Sequence, residues 1–343
     1  MPTAVTFGEI MLRLSTPGYR RFAQVSAFDA VYGGGEANVA ESLANYGVDA
    51  RFVTLLPDNP LGEACLRQLR GFGVDTSHIV QTDGRIGIYF LETGAVQRAS
   101  NVIYDRAHSC IAERQKGDID WEAAFDGADW FHWTGITPAI SRGAADLCKE
   151  AVETADEMGL TISCDLNYRS KLWKYGKEAG EVMEDLVRHV DVAVGNEEDA
   201  DRVFGIKAPH ADVEAGKVDA EDYRYVAEKL TERFPKMKTV AITLRGSLSA
   251  SHNTWSAVLY EDDQLFTTTT YDITHIVDRV GGGDSFAAGL VYALMTGRKN
   301  QDALDFAVAA SCLKHTIPGD ANMVSVEEVE KLIEQGGGGR VQR

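Results

Sequence analysis

The stretch Asp278-Arg-Val-Gly-Gly-Gly-Asp284-Ser-Phe-Ala-Ala-Gly289 sets three glycines and a carboxylate at the start of a strongly helical segment. Residues without side chains, Gly281, Gly282 and Gly283, let backbone N–H groups converge on one point, and the helix that follows adds the positive end of its dipole there. Such a point binds phosphate. Asp284 is the odd member, a negative group where an anion should be welcome. That is the position of a base that takes a proton from a hydroxyl as a phosphoryl group arrives at it. A plainer reading stays open at this point, in which Asp284 caps the helix and the glycines only turn the chain.

A second glycine run, Gly33-Gly34-Gly35-Glu36-Ala-Asn38, opens a helix that reaches about Tyr46. The glycines let a ligand approach the backbone, and Asn38 offers both a donor and an acceptor to sugar hydroxyls. A tight turn with Asn38 on the helix surface is the alternative. Other nucleotide and hydrolase signatures fail. There is no Gly-x-x-x-x-Gly-Lys-Ser/Thr loop, Gly33-x-Gly35 is followed by Asn38 where a dinucleotide fingerprint needs glycine, and no Gly-x-Ser-x-Gly elbow occurs.

The elements that must hold these residues are legible as alternation. Phe52 to Leu56 precedes Gly62 to Gly71, Thr161 to Leu166 precedes Ala179 to Val187, Val192 to Val194 precedes Glu197 to Phe204, and Val240 to Leu244 follows. Short β-branched runs between amphipathic segments predict an α/β fold, doubly wound, with a mostly parallel sheet covered by helices on both faces. Ligands bind such sheets at the carboxyl ends of the strands, which is where Asp165, Asn167, Arg169, Asn196, Arg245 and Gly246 fall. Two stretches, about 10–32 and 86–106, alternate without helical periodicity and predict a small antiparallel sheet that acts as a lid and offers an outer face for pairing two copies. Residues 336–343, Gly-Gly-Gly-Gly-Arg-Val-Gln-Arg, are expected to be a disordered tail after a domain spanning 1–335.

At 343 residues the chain can bury a large core. Cys65, Cys110, Cys148, Cys164 and Cys312 are scattered, and the eight histidines lack metal-ligand spacing, so a disulfide frame or zinc site is not expected. A formal charge of −18 repels nucleic acid and anionic lipid. With no leader pattern and no membrane-length apolar run, the expectation is a soluble, cytoplasmic protein that meets neither nucleic acid nor membrane.

Together, the early glycine run with Asn38 and the late Gly-Gly-Gly-Asp segment resemble the two signatures of the ribokinase-like (PfkB) carbohydrate kinase family. The usual late motif there is Asp-Thr-Thr-Gly-Ala-Gly-Asp, and Asp278-Arg-Val-Gly-Gly-Gly-Asp284 keeps both acids and the outer glycines. The resemblance runs from Thr6 to about Ile333. It implies a β-lid, ATP as donor, Mg2+, and Asp284 as the base, and it leaves a potassium requirement open. Since the family often carries alanine at the middle glycine, Gly282 is expected to tolerate it.

Within the family, Gly-Gly-Gly-Glu36-Ala-Asn-Val-Ala, Tyr89, Tyr104-Asp-Arg106, Asp165-Leu-Asn-Tyr-Arg169 and Pro318-Gly-Asp320, 36 positions after Asp284, are most similar to the branch that phosphorylates the sugar acid 2-keto-3-deoxygluconate. Two arginines and two tyrosines suit a linear sugar acid. The implied substrate contacts are Gly34, Gly35, Asn38, Tyr89, Tyr104, Arg106, Arg169, Asp284 and Asp320, with lid-borne Arg106 the better partner for the carboxylate. The implied nucleotide contacts are Asn167, Asn196, Thr243, Arg245, Gly246, Gly281 and Gly283. Asn196-Glu-Glu-Asp199 resembles the family's Asn-x-x-Glu, whose ends hold water around magnesium, with Asp199 one methylene short. Phe306 to His315 is expected to wall the adenine. A neutral sugar such as fructose as substrate, and a fold that binds its ligand without catalysis, are the competing expectations.

Overall fold

The computed structural model describes residues 2–196, 198–208 and 220–335. In chain order the strands are β1 (Thr3–Phe7), β2 (Met11–Ser15), β3 (Asp29–Gly33), β4 (Asp49–Val53), β5 (Leu55–Pro57), β6 (Val80–Thr82), β7 (Gly87–Glu92), β8 (Asn101–Asp105), β9 (Trp130–Thr134), β10 (Thr161–Asp165), β11 (Val192–Asn196), β12 (Thr239–Ser249), β13 (His252–Glu261), β14 (Gln264–Thr267) and β15 (Tyr271–Ile273). The α-helices are α1 (Gly35–Asn45), α2 (Pro60–Gly71), α3 (Trp121–Phe125), α4 (Thr137–Ile140), α5 (Arg142–Glu157), α6 (Ala179–Val187), α7 (Asp199–Phe204), α8 (Ala220–Arg233), α9 (Gly282–Met295), α10 (Asn300–Lys314) and α11 (Val326–Gln335).

The main sheet runs β14-β13-β12-β11-β10-β9-β1-β4, with β15 on β13. Its strands from β4 to β12 pair in parallel. Because successive strand residues face opposite ways, Ala4 enters the core beneath α1, α9 and α10, whereas Val5 and Phe7 enter the core beneath α3, α5 and α6. From β1 the chain adds β4 on one side and, later, β9 and β10 on the other, so the strand order reverses between β1 and β9. That switch point opens a crevice at the strand ends. The Trp-Phe-His-Trp-Thr run of β9 is buried on both faces, so it lacks the apolar–polar alternation that marks a half-exposed strand in sequence.

Two expectations change. The lid sheet, ordered β3-β2-β7-β8, is mixed and not antiparallel. Each insertion forms an out-and-back pair, and the two outgoing strands β2 and β7 lie side by side, hence parallel. Arg245 and Gly246 do not follow a strand, since β12 continues to Ser249 in antiparallel register with β13. The parallel neighbour β11 stops at the Asn196 and Thr243 pair, so Arg245 still stands past the edge of the parallel sheet. Residues 336–343 lie outside the described residues.

Candidate active site

At the switch point the N-termini of α1 and α9 converge on one cavity of about 1330 Å3. Gly281 is the N-cap of α9 and adopts φ +81°, a left-handed conformation that suits glycine. A Cβ there would also strike the carbonyl oxygen of Asp320. The Gly282 N–H donates to the Arg279 carbonyl at 3.3 Å. The N–H groups of Gly281, Gly283 and Asp284 have no partner among the described residues, so they remain free for an anion.

Asp284 does not cap its helix. Its Oδ2 accepts from Asn38 Nδ2 at 2.6 Å, while Oδ1 has no partner among the described residues. Asn38 is fixed in turn, because its Oδ1 accepts the Gly34 N–H at 3.3 Å. Burial pushes the Asp284 carboxyl up to about 6, reinforced by the negative charge of Asp320 and opposed by the Asn38 hydrogen bond and by Arg169 and Lys314. A carboxylate with that basicity, open on one oxygen and facing the cavity, can accept a proton near neutral pH. Beside it, Glu36 Oε1 accepts from the Thr134 N–H and from the Thr134 and Thr137 hydroxyls, and burial lifts the Glu36 carboxyl to about 7.

The lid is tied to this floor by a residue that its sequence context does not flag. Arg13, 4% exposed, projects inward from β2 on the same side as Met11 and Ser15. Its Nη2 pairs with Asp278 Oδ2 at 2.5 Å, its Nη1 with Asp320, and its Nε with Ser15 Oγ at 2.6 Å. Tyr89 donates its hydroxyl to the other oxygen of Asp320. Both oxygens of Asp320 are thus engaged within the protein. Burial alone would discourage the Arg13 charge, yet Asp320 and Asp278 more than offset it and raise its pKa.

On the lid side of the cavity stand Tyr89, Tyr104 and Arg106. The Tyr89 and Tyr104 ring centres are 5.9 Å apart, and the Arg106 guanidinium lies 5.7 Å from the centre of Tyr104. Arg106 donates from Nε to Glu9 Oε2 at 2.7 Å, and Glu9 Oε1 accepts from Ser109 Oγ at 2.5 Å. Across the cavity, Arg169 is exposed, donates to the Tyr168 carbonyl at 3.1 Å, and pairs with no carboxylate among the described residues.

At the far end, Asn167 takes a left-handed φ of +40° and donates to Asp165 Oδ2 at 3.3 Å. Asp199 accepts the Tyr168 and Asn196 N–H groups at 3.0 and 2.9 Å, one on each oxygen, and Asn196 Oδ1 accepts the Glu198 N–H at 2.8 Å. Thr243, Arg245, Trp255 and Arg279 complete this wall. Of the residues singled out by sequence, Gly34, Gly35, Asn38, Tyr89, Tyr104, Arg106, Asn167, Arg169, Asn196, Asp199, Thr243, Arg245, Gly281, Gly282, Gly283, Asp284 and Asp320 all line the one cavity. Gly246 does not; a Cβ on it would strike Thr254 Oγ1 on β13, so its small size serves strand packing. Nor does Phe306 to His315, which packs α10 against α9 in the core. Arg13, Glu9, Arg279 and Trp255 escaped notice, and only the apolar alternation around Arg13 hints at its inward course.

The sequence profile of the pfkB family carbohydrate kinases matches residues 1–327. A 2-dehydro-3-deoxygalactonokinase of Haloferax volcanii is 34% identical over 98% of both chains. A 2-dehydro-3-deoxygluconokinase of Thermoproteus tenax is 28% identical over 97% of this chain and 94% of its own. The crystal structure of a 2-dehydro-3-deoxygluconokinase of Thermotoga maritima superposes with a TM-score of 0.92 at 50% identity, covering 97% of this chain and 100% of that one. With the two glycine runs, the Asn38–Asp284 pair and the small lid sheet gathered at one switch point, and a profile match across nearly the whole length, the chain belongs to the pfkB family of carbohydrate kinases.

Proposed function

We propose that this carbohydrate kinase transfers the γ-phosphoryl group of ATP to the terminal hydroxyl of 2-keto-3-deoxygluconate (2-dehydro-3-deoxygluconate), giving 2-keto-3-deoxy-6-phosphogluconate. The observation that carries the reading is the Asn38–Asp284 pair beside the unpartnered amides of Gly281 and Gly283, in one cavity with Arg106 and Arg169. In the proposed reaction Asp284 Oδ1 takes the hydroxyl proton. The oxygen bonds to the γ-phosphorus, the bond from that phosphorus to the β,γ-bridging oxygen breaks, and ADP leaves. The free amides and Arg169 balance the charge on the transferring group. Asn38, Tyr89, Tyr104, Arg106 and the Gly34 and Gly35 backbone hold the sugar acid, and Asp320 orients Tyr89. Asn167, Thr243, Arg245 and Gly283 face the nucleotide.

Among the described residues no three acidic, histidine or cysteine side chains gather as metal ligands. Asp199 already holds a backbone N–H on each oxygen. This donor set suits a magnesium ion carried by the ATP phosphates, with Asn196 and Asp199 reaching it through water. Magnesium so bound neutralises phosphate charge. A potassium requirement is read by replacing K+ with tetramethylammonium in the assay.

The enzyme is proposed to work in the cytoplasm, and among the described residues no helix is long and apolar enough to cross a membrane. The outer face of the lid, with Leu14, Ile88, Phe90 and exposed Ile103, is the proposed surface for pairing two copies, which the molar mass of wild type and Ile103→Asp in solution tests.

A second reading, the C4 epimer 2-keto-3-deoxygalactonate, is favoured by the similarity to the Haloferax volcanii enzyme. ADP release with Mg2+-ATP and each of 2-keto-3-deoxygluconate, its C4 epimer and fructose tests the set. The gluco acid is expected to give the highest kcat/KM. Preference for fructose removes the sugar-acid reading, and no ADP release with any of them leaves a binding protein.

A further inference from the structure

Lys314 closes α10 and is 0% exposed. Charged lysines are almost never fully buried without a carboxylate partner. Yet Nζ makes one hydrogen bond, to the Ile317 carbonyl at 3.2 Å, and no ion pair among the described residues. Its chain runs directly behind the phosphate-binding turn, with Cε 3.2 Å from where a Cβ on Gly281 would sit. Hydrocarbon of the same length would fill that space without the penalty of a buried charge. The charge therefore has an electrostatic role, and its surroundings show which.

Beneath the turn, Asp278 and Asp320 share one guanidinium, Arg13. Two carboxylates against one cation leave an excess negative charge behind the amides that must attract a phosphoryl group. The charged groups that act on Lys314 are Asp278, Asp320, Asp284 and Arg13. We propose that Lys314 is a positioning residue for phosphoryl transfer, a built-in cation that cancels the charge left by Asp278 and Asp320, so that the turn attracts phosphate and Asp284 stays ionised. Burial lowers the pKa of Lys314, and the carboxylates of Asp278 and Asp320 work against that. The inference rests on the phosphoryl-transfer reading of the cavity and is indifferent to which sugar acid is used.

Lys314→Met keeps the length and removes the charge. With Mg2+-ATP and the sugar acid, kcat is expected to fall about ten- to a hundredfold, KM for ATP to rise, and KM for the sugar acid to change less than about twofold. The acid limb of the kcat/KM profile should move to higher pH. Lys314 is one of the groups that hold the Asp284 pKa down, with Arg169 and Asn38, while Asp320 pushes it up and Glu36 lies nearby. A purely structural lysine would lower Tm and leave kcat and the acid limb in place, which overturns the proposal. If Lys314→Met does not fold, 13Cε-lysine spectra of the wild type decide instead. An ammonium at pH 7.5 whose resonance moves when a nonhydrolysable ATP analogue and the sugar acid fill the cavity supports the assignment. A neutral amine, or a resonance indifferent to those ligands, overturns it. A wild type that releases no ADP defeats the phosphoryl-transfer reading itself, whereas an active wild type with an equally active Lys314→Met defeats only the role of the lysine.

Discussion

Asn38 and Asp284, 246 positions apart, meet at 2.6 Å across the mouths of two helices. The early glycine run thus supplies the group that aims and tunes the carboxylate of the late one. Nor is Asp284 the helix cap: Gly281 holds the N-cap position, Asp284 lies within the first turn, and no backbone N–H among the described residues donates to its carboxylate.

Asp284→Asn should lower kcat by about two to four orders of magnitude with little change in KM, since proton removal matters chiefly in the transition state. Steady-state kinetics alongside circular dichroism checks this. A folded variant with near-normal turnover would show that Asp284 is not the base.

The pH profile follows from the same pair. A base with a pKa of about 6 is inactive when protonated, so kcat/KM should rise with pH through about 6 and level off above it. The Asn38 hydrogen bond favours the ionised form, so Asn38→Ala should raise that pKa and move the limb to higher pH. Profiles from pH 5 to 8 on both proteins read this directly, and an unmoved or acid-shifted limb would contradict it.

At Gly282 the structure revises the expected tolerance of alanine. A Cβ there lies 2.8 Å from Cε1 of His315, whose ring is held by Nδ1 at 2.7 Å from the Ser311 carbonyl. Gly282→Ala should destabilise by about 1 to 3 kcal/mol through overpacking and slow phosphoryl transfer. Adding His315→Ala makes room, so a double-mutant cycle in denaturant melts should show a favourable coupling. Additive losses would place the strain elsewhere.

Arg106→Ala should cost about ten- to a hundredfold in kcat/KM for 2-keto-3-deoxygluconate, the worth of one charge-assisted bond of about 1.5 to 3 kcal/mol. Any weak activity on fructose should hardly change. Because the substitution strands buried Glu9, the comparison is best made also in Arg106→Ala with Glu9→Gln, which removes the unpaired charge. Equal losses on both substrates would remove the carboxylate role of Arg106.

What could be read from sequence was what is local. Alternating runs located β10, α6, β11 and α7, and glycines next to Asn38 and Asp284 located the floor of the cavity. Less was legible where partners are distant in the chain. Nothing near Arg13 announces that it pairs with residues 265 and 307 positions away. The apolar run Phe306 to Ala310 suits a ligand wall as well as a helix interface, and its burial against α9 appears only in the assembled fold. Strand direction in the lid depends on which edge each insertion leaves, a property of the assembled sheet.

The Arg13 pairing carries a mechanical consequence. The guanidinium sits on a lid strand, but the carboxylates it grips belong to the turn that precedes α9 and to the loop after α10. A hinge movement of the lid must either drag that turn along or break a buried ionic joint. A closing movement over a bound sugar would therefore also shift the anion cradle, and a ligand too small to seat the lid would leave the cradle unset.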